Sequence, residues 1–508
     1  MQPLTKKIQT KNMKALTLVC ALMILSFQGF AQEPEAYEDE RYVPETNPLV
    51  LQKLEKWQNL KFGLLMHWGA YSQWGIVESW SICPEEHGWC KRTMGSDPDN
   101  YATYVKEYEN LQTTFNPTKF NPEKWANAAE YAGMKYVIFT TKHHDGFSMF
   151  DSKYTDYKVT DSKTPFSTHP RANITKEIFG AFREKNFWTG AYFSKPDWHH
   201  KSYWDPKYPP RDRNVNYEPE SDPENWQKYV DFTHNQILEL LTDYGKVDIL
   251  WLDGGWVSKQ STSEISSWYD SQLKNNKTGY LKSRIVNQDI KMDELVGKAR
   301  QKQPDLLVVD RAVHGINQNY LTPENRVPDR SLSYPWESCI ISGGGWAHTK
   351  NAKYMSGYQG VQLLVDIVAK GGNLLLNIAP TPEGEYQQGA YDLLNEYGDW
   401  MKVNSEAIYD TKAIAPFKVD NICITTKEDG STYFLYMTSE NEIEIPKEIN
   451  IKALQPAKNA KINLLGTHKK LKWKSDGNEG FKIIIPESLR KNPPSKYVWA
   501  FKVSQLKK

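Results

Sequence analysis

Between Phe62 and Pro380 the chain repeats one pattern, a short apolar run that ends on its C-terminal side in a polar residue. The runs are Phe62–Trp68, Tyr136–Thr141, Thr189–Ser194, Val247–Asp253, Leu306–Arg311 and Leu374–Ile378. Short apolar runs separated by long helical or loop stretches are the mark of parallel strands buried on both faces. A doubly wound sheet fits that alternation as well. What favours a (β/α)8-like barrel is the position of the His, Asp, Arg, Ser and Asn residues, because a barrel carries its functional side chains at the C-terminal strand ends. The amphipathic stretch Val361–Lys370 stops at Gly371-Gly372 immediately before a run, as a helix leading into a strand does.

After Tyr409 the texture changes. Ser431–Met437, Glu442–Ile445 and Phe481–Ile485 alternate or run apolar between Gly, Asp, Asn and Pro turns, which predicts a C-terminal β-sandwich. At 508 residues the chain is long for one core, so a large domain with a smaller one is expected. The division expected is 32–410 for the barrel and 411–508 for the sandwich. Residues 1–31 read as a signal peptide: Lys6, Lys7, Lys11 and Lys14 precede the apolar Leu16–Phe27, and Gly29-Phe30-Ala31 supplies small residues for cleavage. The expected destination is periplasmic or extracellular. Removing the segment takes the net charge from +1 to −3, which offers no electrostatic case for nucleic acid or an anionic membrane. Four cysteines remain, Cys83, Cys90, Cys339 and Cys423. Export permits a disulfide between the neighbours Cys83 and Cys90, but no CxxC pair suggests zinc.

Residues two apart on a strand share a face. Val247, Ile249, Trp251 and Asp253 therefore point one way, which in a barrel is inward, and Asp248, Leu250 and Leu252 point outward. An inward carboxylate is costly unless it is used or paired. Arg311 shares the inward face of Leu307 and Val309 and brings a cation to the same mouth. His67, His143 and His144, at the ends of the first two runs, add three of the chain's 11 histidines. A metal-dependent barrel hydrolase with these histidines as ligands is one rival reading. Adjacent histidines on a strand face opposite ways, which argues against a shared ion, and the His-x-His pair is missing. A non-catalytic sugar-binding module is another; it would use some of the 18 Trp and 29 Tyr but would need no carboxyl pair.

His67-Trp68-Gly69, Lys142–Phe147, Trp251–Gly254 and Gly371–Ile378 resemble, in order and spacing, the motifs of glycoside hydrolase family 29, the retaining α-L-fucosidases. The resemblance runs from about Phe62 to about Tyr409. It implies a barrel with a C-terminal sandwich, an exo-acting fucosidase without cofactor or metal, and a fucosylated carbohydrate as substrate. An α-L-galactosidase is the nearest alternative among enzymes. Residue by residue, Asp253 matches the nucleophile, while His67, His143, His144, Tyr192, Trp251 and Arg311 match substrate-binding positions. Glu78 and Trp80 match an acidic-aromatic pair that Ser79 interrupts here. For the acid/base two glutamates compete, Glu324 in Leu321–Asn325 and Glu337 in Pro335–Cys339. The threonine-x-glutamate context favours Glu324, and Glu337 stays the alternative. The form of the same loop leans toward the branch acting on α-1,3/1,4-linked fucose.

Overall fold

A computed structural model describes residues 42–84, 90–275, 281, 284–477 and 480–507. The segment read as a signal peptide lies outside them. Among the described residues no helix is long and apolar enough to cross a membrane.

Seven strands form a single parallel sheet: β1 (Phe62–Met66), β2 (Tyr136–Lys142), β3 (Trp188–Ser194), β4 (Ile249–Asp253), β5 (Leu307–Asp310), β6 (Glu337–Ile341) and β7 (Asn373–Asn377). Their order is β5-β4-β3-β2-β1-β7-β6. The six apolar runs account for all of them except β6, which begins with a glutamate and carries Ser338 and Cys339 inside. Chain-order neighbours mostly pair, with Trp251 of β4 opposite Tyr192 of β3 and Leu64 of β1 opposite Val137 of β2.

The sheet has two edges, β5 and β6, and residues 317–325 fill the gap between them. Along β5 this segment is antiparallel, with Asp310 N–H bonded to the Asn317 carbonyl and Asn319 N–H to that of Val308. It then runs parallel to β6, where Glu337 N–H reaches the Leu321 carbonyl and Asn325 N–H that of Cys339. The closed wall is thus seven strands and one irregular patch. Glu324, expected on a loop, sits in that patch opposite Cys339.

Strand alternation sorts the side chains into two apolar clusters. Leu65, Ile138, Ile249, Trp251, Leu307, Val309 and Leu375 fill the interior, and Leu64, Met66, Leu250, Leu252 and Val308 face the surrounding helices. Val247 falls before β4 begins and packs outward, so the inward row starts at Ile249. Helix α1 (Pro48–Leu60) closes the N-terminal end. Its Trp57 stacks on Tyr320 with ring centroids 3.9 Å apart, and its Lys53 pairs with the outward Asp248.

The last barrel helix, Gln388–Asn404, is followed by an eight-stranded antiparallel sheet that starts at Lys412. That sheet curls over a core of its own, in which Phe434 meets Phe481 edge to face at 5.3 Å. Its other face, with Cys423, Tyr433, Leu435 and Val498, joins the apolar cluster of the barrel helices, and Trp400 donates to the Val498 carbonyl. Thr432–Met437 and Phe481–Ile484 are strands as expected. Glu442–Ile445 is not, because Glu442 is taken up by the Ser439 amide and the Tyr436 hydroxyl. Cys83 and Cys90 are both buried.

Candidate active site

The mouth of the barrel collects its polar groups from the C-terminal ends of β1, β2, β3, β4, β5 and β7 and from the segments that carry Glu78, Glu324 and Trp346. Asp253 closes β4, and the chain then turns at Gly254, whose φ of 89° and closeness to Pro196 leave no room for a side chain. The Asp253 carboxylate accepts from the Tyr192 hydroxyl at 2.6 Å and from an Arg311 terminal nitrogen at 3.1 Å. Burial opposes its charge most strongly, yet the Arg311 guanidinium, the His144 and His143 rings and the Tyr192 hydroxyl together outweigh it and hold the carboxyl well below the usual carboxylate range.

Arg311 organises more than Asp253. Its other terminal nitrogen donates to Glu324 at 2.7 Å, its Nε to the Thr322 hydroxyl at 3.0 Å, and its guanidinium carbon lies 4.7 Å from the centre of the Trp251 ring. A single planar fork therefore spans the two carboxylates. The second Glu324 oxygen accepts from the Trp346 indole at 3.2 Å.

The histidines are neutral, each for the same reason. Burial pulls His67 down to about 4 and His144 to about 3, and takes His143 well below its ordinary value. Their neighbours fix two tautomers. Asn377 directs its amide nitrogen to the Trp346 carbonyl at 2.8 Å, so its oxygen accepts from His67 Nδ1 at 2.9 Å. Ser194 donates its hydroxyl proton to the Pro196 carbonyl at 2.7 Å and so accepts from His144 Nδ1 at 2.6 Å. In both rings Nε2 is left as an acceptor. His144 Nε2 is buried without a hydrogen-bond partner in the protein, 3.8 Å from Asp253.

Strand alternation does not keep His143 and His144 apart, contrary to what was expected for a shared metal ion. β2 ends at Lys142, with a register shift at Thr140/Lys142, and the rings of His143 and His144 lie side by side, their centroids 4.1 Å apart. Together with Asp253 they place ligand atoms within 4.8 Å of one another. The surroundings fit a dication poorly all the same. Asp253 already pairs with the Arg311 guanidinium, a fixed positive charge that would repel a dication held at the same carboxylate.

Glu78 is buried at the same mouth, accepts from the Ala347 amide at 2.8 Å, and is pushed up to about 8 by desolvation, with Glu324 and Asp253 adding to the shift. It is a neutral acid at pH 7. Ser79, the residue that interrupts the acidic-aromatic pair, hydrogen-bonds His143 Nδ1. Trp80 stands edge-on to His144 at 5.0 Å and, with Trp198 and Trp256, forms an aromatic wall.

Glu337 is elsewhere. It starts β6 at the floor end of the barrel, fully buried, and accepts from the Tyr136 hydroxyl and, at 3.3 Å, from the Trp251 indole. Desolvation pushes it up to about 8. Trp251 lies between it and Arg311, one layer below the mouth. Sequence reasoning did not single out Ser194, Thr322, Trp346 or Asn377 as site residues. Asn377 lay within a recognised motif, and the three glycines before Trp346 were the available sign of a close backbone approach.

The sequence model of the α-L-fucosidase family matches residues 29–406, and that of the α-L-fucosidase C-terminal domain matches 420–504. Human tissue α-L-fucosidase is 27% identical over 510 residues, covering 96% of this chain and 97% of its own length. Among solved structures, α-L-fucosidase isoenzyme 1 from Paenibacillus thiaminolyticus superposes with a TM-score of 0.69 at 27% identity, over 91% of this chain and 100% of that one. The family 29 α-L-fucosidase of Bacteroides thetaiotaomicron shares the fold, with a TM-score of 0.68 at 22% identity over 93% and 98% of the two chains. The chain belongs to the α-L-fucosidases, glycoside hydrolase family 29.

Proposed function

We propose that this α-L-fucosidase removes terminal fucosyl residues by retaining double displacement, with Asp253 as nucleophile and Glu324 as acid/base. The observation that carries the reading is the Arg311 fork. A retaining glycosidase needs two carboxyls about 5–5.5 Å apart, and one guanidinium here holds both Asp253 and Glu324. In the first step an Asp253 oxygen bonds to the anomeric carbon as the glycosidic bond breaks, and Glu324 gives its proton to the departing oxygen. In the second, Glu324 takes a proton from water, the water oxygen bonds to the same carbon, and Asp253 leaves as carboxylate. Ester formation removes the Asp253 charge from beside the guanidinium, and the attraction between Arg311 and an ionised Glu324 is then no longer shared with that carboxylate.

The Nε2 acceptors of His67 and His144 suit sugar hydroxyls, and neutral Glu78 has a proton to donate. His143 and Trp80 shape the pocket wall, while Trp251 supports Arg311 from below. The Thr322-Pro323-Glu324 form supports a preference for α-1,3/1,4 linkages, and residues 1–31 support export to the periplasm or beyond. Proton NMR of the first-formed sugar tests the mechanism. Initial α-L-fucose, at a rate unaffected by chelator, is expected; initial β-fucose would refute retention.

A further inference from the structure

Trp346 has no part in the steps above, yet its segment ties several of their participants together. After β6 the chain passes Gly343, Gly344 and Gly345 and crosses the mouth. Gly344 takes φ 74° and leaves no space for a Cβ beside Thr349 and Ala352, so the path is one that larger residues would block. Three links follow within two residues. The Trp346 carbonyl accepts from the Asn377 amide whose oxygen holds His67. The Ala347 amide donates to Glu78. The Trp346 indole donates to Glu324, and its ring stands 5.3 Å from that of His67.

Glu324 needs such a partner. Its backbone belongs to the irregular patch, where isolated bridges replace a strand ladder. A glutamate there has three side-chain torsions to settle. Arg311 secures one oxygen, but the same guanidinium also answers to Asp253. The indole secures the other oxygen, and two fixed oxygens fix the plane of the carboxyl. We propose that Trp346 is the positioning residue of the acid/base, its indole N–H setting the Glu324 carboxyl against the glycosidic oxygen while Asn377 holds Trp346 in register with His67. The inference rests on the reading of Glu324 as acid/base. It also accounts for a tryptophan at this point, since phenylalanine would fill the same wall without donating.

Trp346→Phe keeps the ring and removes the donor. General acid catalysis works only within about 2.6–3.2 Å, and a misplacement of about 1 Å costs on the order of 10²-fold. The variant should lose about 10- to 100-fold in kcat/KM on a fucosylated oligosaccharide. On a dinitrophenyl fucoside, which leaves without protonation, the loss should be small. Glu324→Gln, measured beside it, separates the two ideas. If Glu324→Gln shows no leaving-group dependence, the acid/base assignment fails. If Glu324→Gln is steep and Trp346→Phe loses equally on both substrates, or loses nothing, Trp346 only packs and the inference is overturned. Should Trp346→Phe fail to fold, Asn377→Ser, which releases both the Trp346 carbonyl and His67 and so costs something on either substrate, must lose distinctly more on the oligosaccharide than on the dinitrophenyl fucoside, or the inference falls.

Discussion

The mouth and the floor of this barrel each hold a glutamate, and the two have little else in common. Glu324 at the mouth has a side chain one-fifth exposed and accepts from a guanidinium and an indole. Glu337 at the floor is fully buried and accepts from a phenol and an indole, both neutral. The first can exchange protons with water and can meet a ligand. The second is sealed beneath Trp251 and above the α1 plug, and its surroundings favour a proton that stays where it is. Residue type therefore says little about a carboxyl's task; the charge of its donors and its access to water say more.

Replacing the carboxylate at the centre of the mouth should have the largest effect. Asp253→Gly should cut turnover on the order of 10⁴-fold or more, as loss of a nucleophile does in other hydrolases. Added azide should restore part of it and give the opposite anomer as the azide product. A variant with near-normal activity would mean that Asp253 only neutralises Arg311 and that the mouth is as structural as the floor.

The next effect sets the two glutamates against each other directly. Glu324→Ala should lose about 10²- to 10⁴-fold on an oligosaccharide and far less on an activated aryl fucoside, with glycosyl-enzyme accumulating on the latter. Glu337→Ala should lose activity alike on both, and its main signature should be stability. It leaves the Tyr136 hydroxyl and Trp251 indole buried without their acceptor, at about 1–3 kcal/mol, besides the cavity. Thermal melting would show the loss. Reversed leaving-group profiles would exchange the roles of mouth and floor.

The smallest effect is in pH. Glu337 is pushed to about 8 by burial, whereas an exposed glutamate in the unfolded chain titrates near pH ~4.3. Between those values the folded protein holds a proton that the unfolded chain has lost, so stability declines as pH rises toward 8. Glu78, raised by desolvation to a similar value, adds the same slope. Glu337→Gln keeps the shape and cannot ionise, so its melting temperatures at pH 5 and pH 8 should lie closer together than those of the parent. An unchanged interval would show that the floor glutamate does not carry the titration.

What the sequence disclosed, and what it did not, divides along similar physical lines. Ile249, Trp251, Leu307 and Val309 face inward because period-two alternation is a local property of strands, visible in one dimension. Asp253 and Arg311 stand out as charges at the ends of such rows. β6 escaped notice because its first residue is a glutamate, and what makes Glu337 tolerable inside a barrel is Tyr136 and Trp251, respectively 201 and 86 residues away in sequence. The pairing of His143 with His144 was hidden for a different reason: alternation ceases to apply where the strand stops, and only the backbone shows that it stops at Lys142. Ser79, Ser194 and Trp346 act by orienting other side chains, and no spacing rule reports that.

The irregular patch between β5 and β6 bears on how such a site can change. Asp253, the proposed nucleophile, is bound into a sheet register, where a one-residue shift would turn it out of the barrel. Glu324 is held by a shorter register, the few links of Leu321, Pro323 and Asn325 to β6. Residues 312–316 lie ahead of the patch, and a residue added or deleted there is either absorbed before the patch or slips it along β6, with the ladders among the seven strands still paired. Adaptation to a bulkier or differently linked aglycone can thus proceed by shortening or lengthening a single stretch of wall, while the chemistry at the anomeric carbon stays fixed. In an engineered library, length variants between Arg311 and Glu324 would explore leaving groups, and those between β4 and its neighbours would only unmake the barrel.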